Sequence, residues 1–360
     1  MPREEHGRFD GILSFDDAEW LVCATGIRVP AFRLARDGAQ IASGAYTEDI
    51  PWRPGRFSGI ARPDRVAEEY AAGATIILQA LHLHWHPAAL YCRALEAALG
   101  WPVQANAYLT PATAQGFAVH HDTHDVFVLQ VSGRKRWRLY EPAMELPLGA
   151  HRWAPDVHGV GEPVDQLTLE PGDTLFIPRG WPHEAVAAEV DSLHLTIGLH
   201  APTALDALRD ALDVCAADEV EFRRSLDPGG ARPGRLLDRL AERLAPGEVA
   251  RRARRRFVVT RRPVLDDHLA TLRAIGRLDD DGQVMRRSTV IADLELSEGG
   301  ALLRFEGKEV VFPRQARAAV SAAYSAEAPF SASDLPGPLD DAGRLVIVRR
   351  LVREGFLQPL

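Results

Sequence analysis

The chain has 360 residues, 46% of them hydrophobic, enough for two or three domains with a substantial core. Its 50 acidic residues against 42 basic ones give a net charge of −8, which argues against broad nucleic-acid binding while leaving room for a local basic patch. No apolar run approaches a membrane span and the first residues, MPREEHGRFDG, lack the apolar centre of a signal peptide, so a cytoplasmic protein with no membrane partner is expected.

Cys23, Cys92 and Cys215 form no CxxC and read as buried apolar residues, not as a disulfide framework or zinc ribbon. The first helical signal is Phe15 to Trp20. A helix over 62–72 follows, with Asp64 able to cap it, Val66 and Tyr70 at helical spacing, and Gly73 at its end. A β-branched run at 74–78 predicts a strand. Beyond it His82, His84 and His86 alternate; as a strand they would share a face and offer a second metal site, although no carboxylate accompanies them. Residues 87–99, closed by Gly100, predict an amphipathic helix with Leu90, Leu95 and Leu99 near one face. A strand at 103–110 then places Asn106 and Tyr108 on one side.

The densest chemistry lies in QGFAVHHDTHDVFVLQVSGRKRWRLY, residues 115–140, and in PGDTLFIPRGWPHEAV, residues 171–186. Residues i and i+2 of a strand point to one side, so His120 and Asp122 can aim an imidazole and a carboxylate at one point. The same crowded run also offers Asp122 with His124. His183, after a Pro-Gly-Asp turn and a rigid Pro-Arg-Gly-Trp-Pro segment, can supply a third ligand. Two histidines and a carboxylate leave coordination positions open, an arrangement that suits non-haem Fe(II) activating oxygen.

After Asp125 an apolar strand turns at Ser132-Gly133 and returns. The returning strand puts Arg134, Arg136, Arg138 and Tyr140 on one face and Lys135, Trp137 and Leu139 on the other. Lys135 is therefore on the apolar side, where an ammonium is costly unless paired, and the position asks for an anion. Only Lys135 and Lys308 among the 42 basic residues are lysines, which suggests a site that wants a compact charge in place of a planar fork. The competing reading is a packed stem whose head reaches water.

Strands dominate as far as His200, with turn signals at 132–133, 159–161 and 171–173, the spacing of a jelly-roll and not of a parallel sheet with crossover helices. In the last strand Ser192, His194 and Thr196 share one face, opposite Leu193, Leu195, Ile197 and Leu199. Helices are expected at 202–220, striped by Leu205, Leu208 and Leu212, and at 235–244 and 248–257, with a break at Pro228-Gly229-Gly230. The arginine cluster at 251–262 is the most basic stretch, read either as a contact to RNA or a ribosomal surface or as a solvated helix face paired with acids. Strands at 301–305 and 309–312 and helices at 313–326 and 340–354 close the chain.

The segments GFAVHHDTHDVFVLQVSGRKRWRLYEP, PGDTLFIPRGWPHEAV and SLHLTIGLH resemble the JmjC/cupin-type 2-oxoglutarate oxygenases, in particular their ribosomal oxygenase branch. The resemblance implies an α+β fold: a double-stranded β-helix (jelly-roll, JmjC/cupin) core over 1–201, a helical dimerisation module over 202–284 and a winged-helix-like domain over 285–360. It implies Fe(II) on His120, Asp122 and His183, and 2-oxoglutarate as co-substrate with its far carboxylate on Lys135. Asn106, His194 and Thr196 would lie near 2-oxoglutarate and Tyr108 near the bound substrate residue. The implied reaction hydroxylates a C–H of a protein side chain, a His or Arg of a ribosomal protein, and gives succinate and CO₂. Lys135 bears on the choice, because bacterial members that hydroxylate arginine tend to carry Arg there and histidine-hydroxylating members Lys. Other readings are the same chemistry on a peptide natural product or free amino acid, a non-catalytic cupin-fold metal protein, and a ribosome-binding protein.

Overall fold

In the strand Val103–Thr110 burial alternates: Val103, Ala105, Ala107 and Leu109 enter an apolar core, while Gln104, Asn106 and Tyr108 point to the other side of the sheet and stay partly accessible. That period of two separates a packed layer from a polar interior. The computed structural model describes residues 7–151, 153–154, 159–225 and 234–360. The break expected at Pro228-Gly229-Gly230 lies outside them. Two units are distinguished, Met1–Ala201 and Pro202–Leu360.

The first unit runs α1 (Phe15–Ala24), β1 (Phe32–Arg36), β2 (Ala39–Gln40), β3 (Thr47–Trp52), β4 (Gly55–Ala61), α2 (Pro63–Ala71), β5 (Thr75–Leu78), α3 (His86–Leu99), β6 (Val103–Thr110), β7 (Asp125–Ser132), β8 (Lys135–Leu139), β9 (Asp165–Leu169), β10 (Thr174–Ile177), β11 (His183–Ala187) and β12 (Ser192–Leu199). An antiparallel seven-stranded sheet has the order β10-β7-β12-β6-β5-β1-β2, and a smaller one the order β11-β8-β9. Val126, Val128 and Ile177 of the larger sheet meet Trp137, Leu139 and Leu169 of the smaller in one apolar cluster. On its other face the larger sheet packs with α1, α2 and α3 through Leu21, Val66, Ala88, Cys92, Leu109 and Leu195. Each fully buried leucine there contributes about 2 kcal/mol. This is a jelly-roll with helices on one side.

Four local expectations are corrected. Pro63 occupies the first turn of α2, so Asp64 lies inside the helix and not at its cap, and its carboxylate turns back to Arg62 Nε at 3.0 Å. Leu81–Leu83 is a 3₁₀ turn after left-handed Ala80 (φ 48°), and His86 opens α3, so His82, His84 and His86 share no strand face. Leu90 and Leu99 are exposed; the buried face of α3 carries Ala88, Cys92 and the Arg93–Glu96 ion pair at 3.1 Å. Cys23 is exposed, whereas Cys92 and Cys215 are buried.

The second unit runs α4 (Ala204–Asp218), α5 (Gly234–Arg243), α6 (Pro246–Val259), α7 (His268–Ala274), β13 (Val284–Arg286), β14 (Ala292–Ser297), β15 (Gly300–Phe305), β16 (Lys308–Pro313), α8 (Arg317–Ser325), α9 (Asp341–Glu354) and β17 (Leu357–Pro359). Thr203 caps α4 reciprocally with Asp206. The buried residues of α4 are Ala211 and Cys215, while Leu208 and Leu212 remain 40% and 43% exposed. The sheet β14-β15-β16 packs with α8 and α9 around Leu303, Phe305, Val320, Val348 and Phe356. The arginine cluster of α6 is substantially paired: Arg251 with Glu248, Arg252 with Asp210 at 2.6 Å, and Arg255 with Glu309 at 2.7 Å. Among the described residues no helix is long and apolar enough to cross a membrane.

Candidate active site

His120 and His183 come from different parts of the first unit and meet through their main chains. His183 N donates to the His120 carbonyl at 2.8 Å and His120 N to the His183 carbonyl at 3.2 Å. Each ring is oriented by the carbonyl two residues before it: His120 Nδ1 lies 2.9 Å from Ala118 O, and His183 Nδ1 lies 3.0 Å from Trp181 O. A carbonyl oxygen only accepts, so Nδ1 carries the proton in both rings and each Nε2 keeps its lone pair.

Asp122 Oδ2 lies 3.8 Å from His183 Nε2, and donor atoms of His120, Asp122 and His183 all fall within 4.8 Å of one another. Ligands each about 2.1 Å from one ion stand roughly 3–4 Å apart, so the spacing fits a single metal after slight contraction. Among the described residues no other group of His, Cys, Asp and Glu does so. The alternative partner of Asp122, His124, stacks instead on His200 at 4.6 Å and lies over Gly198, where a Cβ would come 2.6 Å from its Nε2. Burial pushes His183 down to about 4, with the neighbouring His120 adding and Asp122 opposing, so the ring is neutral and able to ligate at neutral pH.

Lys135 occupies the other end of the same cleft, which holds about 510 Å³ of empty space, part of it open to solvent. Its side chain is 4% exposed, and its Nζ donates to Thr110 Oγ1 at 2.9 Å. Thr75 Oγ1 donates to the same hydroxyl at 3.1 Å. No carboxylate pairs with Lys135 among the described residues, and burial pulls its pKa down to about 7. A cation wanting an anion at one end and a three-ligand set at the other suit a ligand that is anionic and also offers donors to a metal.

Between the ends, Tyr108 stacks on His194 with centroids 4.8 Å apart, and Trp137 meets His194 edge-on at 5.5 Å. His194 Nδ1 is buried with no hydrogen-bond partner among the described residues, and burial, then Lys135 and His183, hold the ring neutral. Thr196 and Tyr108 line the cleft. Asn106 does not: its Oδ1 accepts from Ala80 N at 2.9 Å and braces that left-handed turn. The sequence reading missed Thr110, Thr75, Phe117 and Trp137 as cleft residues. Thr110 was within reach, since it shares strand parity with Asn106 and Tyr108.

Residues 81–207 match the JmjC domain family. That stretch of the chain is therefore similar to a JmjC domain. It is 34% identical over 235 residues to Ribosomal oxygenase 1 of Rattus norvegicus, covering 62% of this chain and 37% of that protein. It is 36% identical over 176 residues to the bifunctional lysine-specific demethylase and histidyl-hydroxylase of Dictyostelium discoideum, covering 47% and 34%. The chain thus spans about a third of the length of these relatives. Among solved structures, Escherichia coli YcfD matches with a TM-score of 0.58 and 19% identity, covering 97% of this chain and 91% of that one. A structure of YcfD, described as a ribosomal oxygenase in complex with cobalt and 2-oxoglutarate, matches with a TM-score of 0.54 at 19% identity. These two share the fold, and the JmjC jelly-roll is the architecture of the first unit.

Proposed function

We propose that this protein is an Fe(II)- and 2-oxoglutarate-dependent dioxygenase that hydroxylates a side chain of a protein, a His or Arg of a ribosomal protein. One observation carries the reading: two imidazoles with free Nε2 atoms and one carboxylate share a cleft with a buried, carboxylate-free Lys135. A non-catalytic metal protein needs the first of these features and not the second. The names of the relatives, ribosomal oxygenase and histidyl-hydroxylase, support the substrate class.

In this reading His120, Asp122 and His183 hold the metal. With Fe(II) and 2-oxoglutarate bound, O₂ would be the oxidant: one of its oxygen atoms would leave in succinate as 2-oxoglutarate loses CO₂, and the other would enter the substrate C–H. Lys135 binds the far carboxylate of 2-oxoglutarate, and Thr110 and Thr75 fix the ammonium so that little reorganisation accompanies binding. The stacked Tyr108 and His194, with Trp137 edge-on, form an aromatic wall along the cleft. Thr196, and His194 through its open Nδ1, offer polar contacts to the co-substrate, and Tyr108 lies toward the substrate side chain. Asn106 acts on the cleft through the Ala80 turn and through its side-chain hydrogen bond with Tyr108.

The helices over 202–284 are assigned to pairing with a second copy of the chain, on the support of exposed Leu208 and Leu212, and 285–360 to a winged-helix-like domain. A cytoplasmic setting accompanies the ribosomal substrate, and the internal pairing of the α6 arginines speaks against direct nucleic-acid binding there.

The test is succinate formation by Fe(II)-loaded protein with 2-oxoglutarate, oxygen and bacterial ribosomal proteins, followed by intact-mass analysis. A mass gain of one oxygen on one protein, absent with His120→Ala, is the expected result. Succinate without a mass gain redirects the search to peptides or amino acids. No succinate under any condition overturns the proposal.

A further inference from the structure

His120 is carried by a connection, 111–122, that is not a regular strand, so something must set its position. Its main chain is held on both sides: Gln115 pairs with Val186 of β11, the Gln115 carbonyl accepts from Asp37 N at 3.1 Å, and Gly38 N donates to Gly116 O at 3.1 Å. Gly116 lies so close to Thr75 that a Cβ would come 2.8 Å from its Oγ1. The connection therefore runs from the lysine end of the cleft to the metal-ligand end.

One side-chain cluster fastens it. Glu184 follows His183 along β11, and its side chain is only 14% exposed. Its carboxylate accepts from Tyr140 Oη at 2.7 Å, Gln115 Nε2 at 2.9 Å and Arg138 at 3.3 Å. The same Gln115 amide donates its second hydrogen to the Phe117 carbonyl at 3.0 Å. The Phe117 ring then packs edge-on against His120 at 5.6 Å and Tyr108 at 6.2 Å. The next residue, Ala118, supplies the carbonyl that orients His120.

We propose that Glu184 is a positioning residue for the metal centre: it fixes Gln115, Gln115 fixes Phe117, and Phe117 with Ala118 sets the place and tilt of the His120 imidazole. The inference rests on the metal-site reading above. A carboxylate suits the role because it accepts from three donors at once and donates to none, whereas any neutral replacement leaves one donor without an acceptor. Outer groups that orient metal ligands typically control affinity by about 10- to 100-fold.

The experiment titrates the full chain with Co(II) alone, reading the dissociation constant by calorimetry and the visible absorption of the bound ion, with thermal unfolding of the metal-free protein alongside. Glu184→Gln turns an amide toward the Gln115 amide, and both Glu184→Gln and Gln115→Ala are expected to weaken Co(II) by about 10-fold or more with the metal-free unfolding temperature nearly unchanged. The double variant Glu184→Gln with Gln115→Ala is expected to lose no more Co(II) affinity than the more affected single variant, a non-additivity that independent sites do not show. Gln115→Ala keeps the test open if Glu184→Gln folds poorly, because it leaves the carboxylate with Tyr140 and Arg138. Wild-type affinity in both single variants overturns the proposal, as does a lowered unfolding temperature with Co(II) affinity intact. A wild-type protein that binds no Co(II) removes the metal-site reading itself, a failure visible before any variant is compared.

Discussion

Lys135 Nζ lies 2.9 Å from Thr110 Oγ1, and this one hydrogen bond joins the smaller sheet of the jelly-roll to the larger across the floor of the cleft. It is a neutral acceptor for a buried cation, which is why the ammonium is left wanting charge.

Replacing Lys135 is therefore expected to act on 2-oxoglutarate and not on the metal. Lys135→Ala should weaken 2-oxoglutarate by about 100-fold or more, since a desolvated carboxylate is left unpaired, while Co(II) affinity stays near that of the wild type. Calorimetry of each ligand separately checks both halves. Equal loss of the two ligands would place Lys135 in the fold and not in the site.

Binding of 2-oxoglutarate should take up a proton at alkaline pH. In the free protein burial lowers Lys135 to about 7, so at pH 8 its amine is mostly neutral, and a carboxylate beside it favours the charged form. Uptake approaching one proton per ligand is expected at pH 8, falling toward zero at pH 6, where the amine is already charged. Calorimetry in two buffers of different ionisation enthalpy measures it.

The same group gives the ligand-free protein a pH dependence of stability. The folded pKa is depressed below the ordinary lysine value of 10.5, so between about 7 and 10.5 the unfolded chain holds a proton that the folded chain does not. Stability from this group therefore rises with pH across that window and is flat below it. Lys135→Met should remove the slope, as followed by urea midpoints at pH 7, 8 and 9.

Thr110→Val keeps the shape and removes the hydroxyl. With the ammonium's acceptor gone, Lys135 should lose about 1–3 kcal/mol of support in the free protein. The Michaelis constant for 2-oxoglutarate is expected to change while turnover at saturation changes little. A fall in turnover alone would mean that Thr110 acts elsewhere.

Leu208→Arg with Leu212→Arg tests the pairing assigned to α4. Both side chains are exposed, so the monomer should keep its unfolding temperature while sedimentation shifts to half the mass. An unchanged mass removes α4 from the interface.

Strand parity in the sequence located the cleft's floor and wall because burial in a two-sheet fold has a period of two: Lys135, Trp137 and Leu139 turn inward, as do His194 and Thr196. Parity says nothing about where a carbonyl or a turn stands. Asn106 has the parity of Tyr108 and hydrogen-bonds it, but its Oδ1 is also taken by the left-handed turn at Ala80, and the histidines at 82–86 share no strand face because a 3₁₀ turn and then α3 replace the strand. Glu184 was hidden for the opposite reason: its strand parity is opposite to that of His183, and its tie to Gln115 is a contact between distant stretches of the chain. On α3 Leu95 packs against the core, but Leu90 and Leu99 stay exposed while a buried Arg93–Glu96 pair takes part of the inner face.

The orientation of both metal-binding imidazoles is written in peptide carbonyls, Ala118 O for one and Trp181 O for the other. A carbonyl survives every side-chain substitution at its residue. The flanking side chains are therefore free to drift over evolutionary time without disturbing which ring nitrogen faces the metal, and what selection must keep is the path of the chain at two points. Comparisons by residue identity will understate kinship among such proteins, and comparisons by backbone will retain it.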